Sequence, residues 1–322
     1  MKRLFKKRRE NSTEPLNNPW KKFYGDVKPN LVYPQGTIVE FLENTVNKYP
    51  NNTAYEYYGM SVTFKEFYER IIEVAKALKM QGVKENDRVT ICMPNTPQGL
   101  MAFYAVNMIG ATANMIHPLS AEKEIEFYLN ISDSNFLITI DIAYNKVMEI
   151  IDNTHLEKVV VVSAANDFGK SMTFFYWLTK GRKINVKIER DNIISWRKFI
   201  EAGKKYTGTY KCHKTPDSIA AILYSGGTTG TPKGIMLSNK NFNAVAVQAL
   251  AMCHAKPGES ILAIMPIFHG FGLSVCIHTP LVGGMKCILI PEFSSKKFVN
   301  LIRKYHPNFI AGVPTLFDSL TR

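Results

Sequence analysis

Residues Ile219-Ala220-Ala221-Ile222-Leu223 form an apolar run with the look of a buried strand, and Ile235-Met236-Leu237 form a second, shorter one. Between them lies Tyr224-Ser225-Gly226-Gly227-Thr228-Thr229-Gly230-Thr231-Pro232-Lys233-Gly234. Strand, glycine- and hydroxyl-rich loop, strand is the arrangement an anion-holding loop requires. Four glycines let the backbone adopt positive φ and approach a ligand closely. Successive N–H groups in such a loop can converge on one anion. Ser225, Thr228, Thr229 and Thr231 add hydroxyl donors, and Lys233 adds a point charge suited to phosphate.

The nucleotide-binding pattern G-x-x-x-x-G-K-[ST] does not fit this stretch. Lys233 follows Pro232 and precedes Gly234, so both the glycine and the magnesium-binding hydroxyl are misplaced. The loop also leads into a strand, whereas that pattern opens a helix. A plain turn would need one or two glycines, not four interleaved with threonines and a lysine.

Two later stretches extend the pattern: Met265-Pro266-Ile267-Phe268-His269-Gly270-Phe271-Gly272 and Gly312-Val313-Pro314-Thr315-Leu316-Phe317. The loop resembles the signature loop of the adenylate-forming superfamily, which includes acyl-CoA synthetases, peptide-synthetase adenylation domains and luciferases. The later stretches are similar to that superfamily's Pro-x-Phe-His and Val-Pro-Thr segments, in the same order. The likeness is greatest to bacterial long-chain fatty acid–CoA ligases and runs from about Pro34 onward.

The resemblance implies an α/β fold of layered β-sheets flanked by helices, the large N-terminal domain of such an enzyme. It implies ATP-dependent activation of a medium- or long-chain fatty acid to an acyl-adenylate, then to an acyl-CoA thioester. ATP, Mg²⁺ and CoA are the implied cofactor and co-substrates. Ser225, Gly226, Gly227, Thr228, Thr229, Gly230, Thr231 and Lys233 would hold the ATP phosphates, with Thr228 as a contact to Mg²⁺. Lys233 and His269 would act in catalysis. Phe268, His269, Phe271, Gly272, Gly312, Val313 and Pro314 would line the acyl pocket. Gly226 departs from the pattern, since many members carry Ser or Thr there. The superfamily's magnesium-binding glutamate, ribose-binding segment and lid lysine would all fall beyond Arg322. On this reading the chain is the front part of a longer ligase, and its 322 residues alone are expected to be inactive.

Composition supports a globular body and anionic ligands. Hydrophobic residues make up 46% of the chain and charged residues 21%, enough for a core and too apolar for wholesale disorder. A net charge of +13 favours nucleotides, CoA or an acidic membrane surface. No aromatic–basic RNA motif accompanies it, so nucleic acid is not an expected partner. The five cysteines show no C-x-x-C pair and the histidines no H-E-x-x-H, which argues against disulfides and a bound transition metal. A cytoplasmic location follows. Peripheral contact with an anionic membrane is an alternative, through the basic residues 2–9 or through Phe174-Phe175-Tyr176-Trp177 with Lys180, Arg182 and Lys183.

Residues 1–33 read as a basic tail and arm lying over the body, and residues 34–322 as an AMP-binding domain incomplete at its C-terminal end. Helices are expected over 37–49, after the capping box Thr63-x-x-Glu66, and over 98–109, 122–129, 144–151 and 294–305. A further helix to about 252 is expected to be capped by Asn239 or Asn241. Strands are expected over 53–58, 89–93, 111–116, 136–140, 159–162, 260–265, 287–290 and 309–311, with Gly59 in a turn. Helices alternating with β-branched runs predict mainly parallel pairing. Two other functions compete: an adenylation domain loading a carrier protein, and a non-catalytic fragment that binds membranes or partners.

Overall fold

The computed structural model describes residues 19–165, 190–226 and 232–318. The chain divides into two compact units, Met1–Val32 and Tyr33–Arg322. In the first, a 3₁₀ turn at Pro19–Phe23 continues through Tyr24 N–H to Lys21 C=O and Val27 N–H to Tyr24 C=O. The basic tail before residue 19 and the aromatic–basic stretch 172–183 lie outside the described residues.

The second unit opens with α1 (Ile38–Lys48), β1 (Thr53–Tyr57), β2 (Met60–Thr63) and α2 (Phe64–Met80). Thr37 and Thr63 each close a reciprocal capping box, with Glu40 and Glu66. On α2, Phe64, Phe67, Ile71, Val74, Ala75 and Leu78 are all buried. Each large side chain on that face contributes roughly 1.5–3 kcal/mol of transfer free energy. β2 departs from expectation. Tyr58 and Gly59 both take positive φ, +48° and +85°, and form the two-residue turn that folds β2 back on β1. That turn usually carries Asn-Gly or Asp-Gly, and Tyr58 disguises it.

β3 (Arg88–Cys92), α3 (Pro97–Met108), β4 (Thr112–Met115), α4 (Glu122–Ser132), β5 (Phe136–Ile140), α5 (Tyr144–Ile150) and β6 (Lys158–Val162) follow the expected alternation. β7 (Ile193–Ser195) and α6 (Trp196–Gly203) were not expected. Gly203 lets α6 lie against α2, because a Cβ there would stand 2.7 Å from Ala77 backbone atoms. β8 (Ile219–Ser225) and β9 (Lys233–Ser238) complete a seven-stranded sheet of order β7-β6-β5-β3-β4-β8-β9. All its pairs are parallel except β8 with β9.

α7 (Asn239–Cys253) is capped by Ser238 rather than by Asn239 or Asn241. Ser238 Oγ accepts from Asn241 N–H, and Asn241 Oδ1 accepts from Ser238 N–H. Asn239 is buried and joins distant segments instead. Its Oδ1 accepts from Ile38 N–H, and its Nδ2 donates to the carbonyls of Thr215 and Ser218.

The remaining elements are β10 (Ser260–Ala263), a π-helical segment Gly272–His278, α8 (Thr279–Val282), β11 (Lys286–Leu289), α9 (Ser295–Tyr305), β12 (Phe309–Ile310) and α10 (Pro314–Asp318). They supply a second sheet of order β12-β10-β11-β1-β2. This is an α/β fold with two layered sheets and flanking helices. Every residue of α3 is buried, which suits a helix apolar on all sides and packed within the body.

Candidate active site

Parallel strands β3, β4 and β8 are neighbours, and their carboxyl ends lead to Asn95, His117 and the loop after Ser225. Crevices beyond the carboxyl ends of such strands are where α/β sheets bind ligands.

The hairpin β8–β9 holds the two ends of the glycine-rich loop together. Ser225 pairs with Lys233 and Tyr224 with Gly234 in its antiparallel ladder. Ser225, Gly226 and Lys233 are exposed, and a Cβ at Gly226 would meet nothing within 4 Å. Gly227, Thr228, Thr229, Gly230 and Thr231 lie outside the described residues. The Tyr224 ring lies on Tyr128, with centroids 4.1 Å apart, and its hydroxyl donates to Tyr128 C=O at 3.2 Å. Burial pushes the Tyr224 phenol up to about 12, so it stays protonated and keeps that bond.

The Pro-x-Phe-His segment is fastened by Asn95, a residue that sequence reasoning missed. Asn95 Nδ2 donates to the carbonyls of Ala263 and Met265, each at 2.9 Å. Its Oδ1 accepts from Ile267 N–H at 2.9 Å. A buried side-chain amide thus satisfies three backbone groups just where β10 ends and the chain turns toward His269. Only the Asn95-Thr96-Pro97 turn and helix start hint at it in the sequence.

His269 is exposed, and its Nδ1 accepts from Phe271 N–H at 3.2 Å. The neutral ring therefore carries its proton on Nε2. Gly270 packs against β8, where its Cβ position would lie 3.5 Å from Leu223 Cδ1. The loop-bearing strand and the His269 segment are thereby adjacent. Gly272 is buried, and a Cβ there would fall 2.0 Å from the Pro266 carbonyl oxygen. Only glycine permits that approach. Phe268 and Phe271 are half-buried, and Phe268 stacks on His117 with centroids 4.1 Å apart.

The Val-Pro-Thr segment follows β12. Cys276 Sγ, in the π-helical segment, donates to Ala311 C=O at 3.9 Å. Gly312 is half-buried, while Val313 is 44% exposed and Pro314 is exposed. Val313 is therefore not part of the core. π-helical turns are uncommon and gather at functional sites. This one begins three residues after His269 and ends at His278.

His278 is fully buried. Its Nε2 is 2.9 Å from Asn243 Oδ1 and its Nδ1 is 3.0 Å from the Tyr104 hydroxyl. Asn243 Nδ2 donates to Gly36 C=O, so Asn243 Oδ1 must accept from Nε2–H. Nδ1 then accepts from Tyr104. Burial lowers the His278 pKa to about 3, so the ring is a neutral packing element.

A model of the AMP-binding enzyme family matches residues 42–322, and the chain belongs to that family. A long-chain-fatty-acid–CoA ligase of Bacillus subtilis (strain 168) is 28% identical over 306 residues, covering 94% of this chain and 55% of the relative. The crystal structure of a long-chain-fatty-acid–CoA ligase from Archaeoglobus fulgidus aligns with a TM-score of 0.74 at 23% identity, over 91% of this chain and 54% of that one. An anthranilate CoA ligase in complex with anthranoyl-AMP aligns with a TM-score of 0.76 at 21% identity, over 90% of this chain and 52% of that one. Those two likenesses speak to the fold. The chain spans about half the length of the curated relatives it matches. Among the described residues, no helix is long and apolar enough to cross a membrane.

Proposed function

We propose that this chain supplies the phosphate-holding loop and acyl-binding segments of an AMP-forming fatty acid–CoA ligase. The observation that carries the reading is the packing of Gly270 against Leu223. It sets the His269 segment beside the strand that feeds the glycine-rich loop. In the first half-reaction a carboxylate oxygen attacks the α-phosphorus of ATP, the bond to the β-phosphate bridging oxygen breaks, and pyrophosphate leaves. In the second, the CoA sulfur attacks the acyl carbon and AMP leaves.

Both steps gain chiefly from positioning and from stabilising charge on phosphate oxygens. Ser225, Thr228, Thr229 and Thr231 donate hydroxyls to the β- and γ-phosphates, the backbone of Gly226, Gly227 and Gly230 approaches them, and Lys233 contributes its charge. His269 presents Nε2 toward the acyl group, with Phe268, Phe271, Gly312, Val313 and Pro314 as apolar wall. Gly272 acts by letting the segment turn against Pro266.

Among the described residues no group of three or more His, Cys, Asp or Glu could hold a metal. A Mg²⁺ arriving on the nucleotide phosphates would find a hydroxyl ligand in Thr228. Mg²⁺ would there neutralise charge on the triphosphate. That relatives of this chain are named long-chain-fatty-acid–CoA ligases supports CoA rather than a carrier-protein thiol as the acceptor here, and a fatty acid rather than an aryl acid as the substrate.

The test is product analysis on the protein as its gene encodes it, with ATP, Mg²⁺, CoA and palmitate, octanoate, acetate or benzoate. Palmitoyl-CoA and AMP are the expected products. A preference for acetate or benzoate of about tenfold in kcat/KM, or about 1.4 kcal/mol, would overturn the fatty-acid reading. Acylation of a carrier protein but not of CoA would overturn the acceptor.

A further inference from the structure

The turn after β4 is built with more care than a connection needs. Pro118 follows His117, and Ser120 N–H donates to His117 C=O at 3.2 Å. Leu119 N–H donates to His117 Nδ1 at 2.8 Å. Lys146 Nζ, on α5, donates to the carbonyls of Leu119 and Ser120 at 3.2 and 2.7 Å. The imidazole is thus fixed by its own turn, and with Nδ1 accepting, the neutral ring carries its proton on Nε2.

The face of that fixed ring lies on Phe268, with an interplanar angle of 36°. Phe268 immediately precedes His269, and its segment is also held by Asn95 at Ile267 and by the packing of Gly270 against Leu223. His117 therefore closes a three-point support: an amide clamp at Ile267, β8 at Gly270, and a flat ring at Phe268. It also stands at the carboxyl end of β4, between β3 and β8, on the rim that carries the glycine-rich loop. Burial lowers the imidazole pKa, with Glu124 opposing and Lys146 assisting, which favours the neutral ring near pH 7.

We propose that His117 is a positioning residue for the acyl substrate. Its ring sets the pose of Phe268 as one wall of the acyl pocket and so influences which chain lengths are accepted. The inference rests on the fatty acid–CoA ligase reading above. An aromatic ring with a fixed imidazole on its face has fewer rotamers open to it. Without the imidazole face, Phe268 gains space to rotate, and the wall it forms loses definition.

Two variants separate the ring from the turn. His117→Asn keeps a short side-chain acceptor for Leu119 N–H but removes the flat ring. His117→Phe restores a flat ring but removes the acceptor. Carboxylate-dependent pyrophosphate–ATP exchange is measured with palmitate and octanoate on the protein as its gene encodes it, alongside thermal melts. His117→Asn is expected to change the palmitate-to-octanoate ratio of kcat/KM about tenfold, through KM for the acid, with KM for ATP unchanged. His117→Phe is expected to restore most of the ratio even if its melting temperature falls. An unchanged ratio in His117→Asn, or a loss in His117→Phe that matches or exceeds that in His117→Asn, would assign His117 to the turn alone and overturn the inference. Wild-type protein without carboxylate-dependent exchange would overturn the functional reading and this inference together.

Discussion

His278 shows how a residue type prized in catalysis can be purely structural. Its two ring nitrogens are both used, by Tyr104 and Asn243, inside a fully buried site. Protonation would put a second proton where Tyr104 donates. The folded pKa lies near 3, below the ordinary 6.5, so the unfolded chain binds the proton more readily. The stability this confers is complete above about pH 6.5 and is lost as pH falls toward 3, by about 1.4 kcal/mol per pH unit. Burial raises the Asp141 carboxyl, an effect of opposite sign, so a difference between variants is the cleaner measure. Urea midpoints of wild type and His278→Gln between about pH 4 and 6 should show the wild type losing stability faster on acidification, by close to one proton. Parallel curves would mean that His278 is not held neutral by the fold.

At the level of elements, Asn95 fastens the His269 segment through three backbone hydrogen bonds. Asn95→Ala strands two carbonyls and one N–H, and a buried unpaired polar group costs roughly 1–3 kcal/mol. The variant should lose about 2–5 kcal/mol in urea unfolding and gain amide exchange at residues 264–269. A change below about 0.5 kcal/mol would show that the clamp is redundant. Asn95 was illegible in the sequence because its partners lie far along the chain, and the same holds for His117 against Phe268. What was legible is local. The capping boxes at Thr37 and Thr63 and the run Phe136–Ile140 are specified by neighbours within a turn or by continuous burial. β2 hid behind Tyr58 at a positive φ. β7, a three-residue edge strand, exists because β6 offers it a partner, not because Ile193–Ser195 demands it. The hydroxyl- and glycine-rich character of the loop could be read directly, since composition alone reveals it.

For the whole molecule, two sheets and the buried helix α3 form the frame, and the proposed site lies on its rim. β8 ends at Ser225, β9 returns at Lys233, and Gly270 lies against the same strand. On the proposed reading, a body arranged in this way would bring the glycine-rich loop and the histidine-bearing segment within reach of one carboxylate and one nucleotide. The measurement that tests this most directly is palmitate-dependent pyrophosphate–ATP exchange by the protein as its gene encodes it, wild type against Lys233→Ala. Wild type should exchange only when palmitate is present, and Lys233→Ala should lower the rate on the order of 10²-fold with its melting temperature unchanged. Exchange by Lys233→Ala at the wild-type rate would contradict the phosphate assignment, and wild-type exchange indifferent to palmitate would contradict the adenylation chemistry itself.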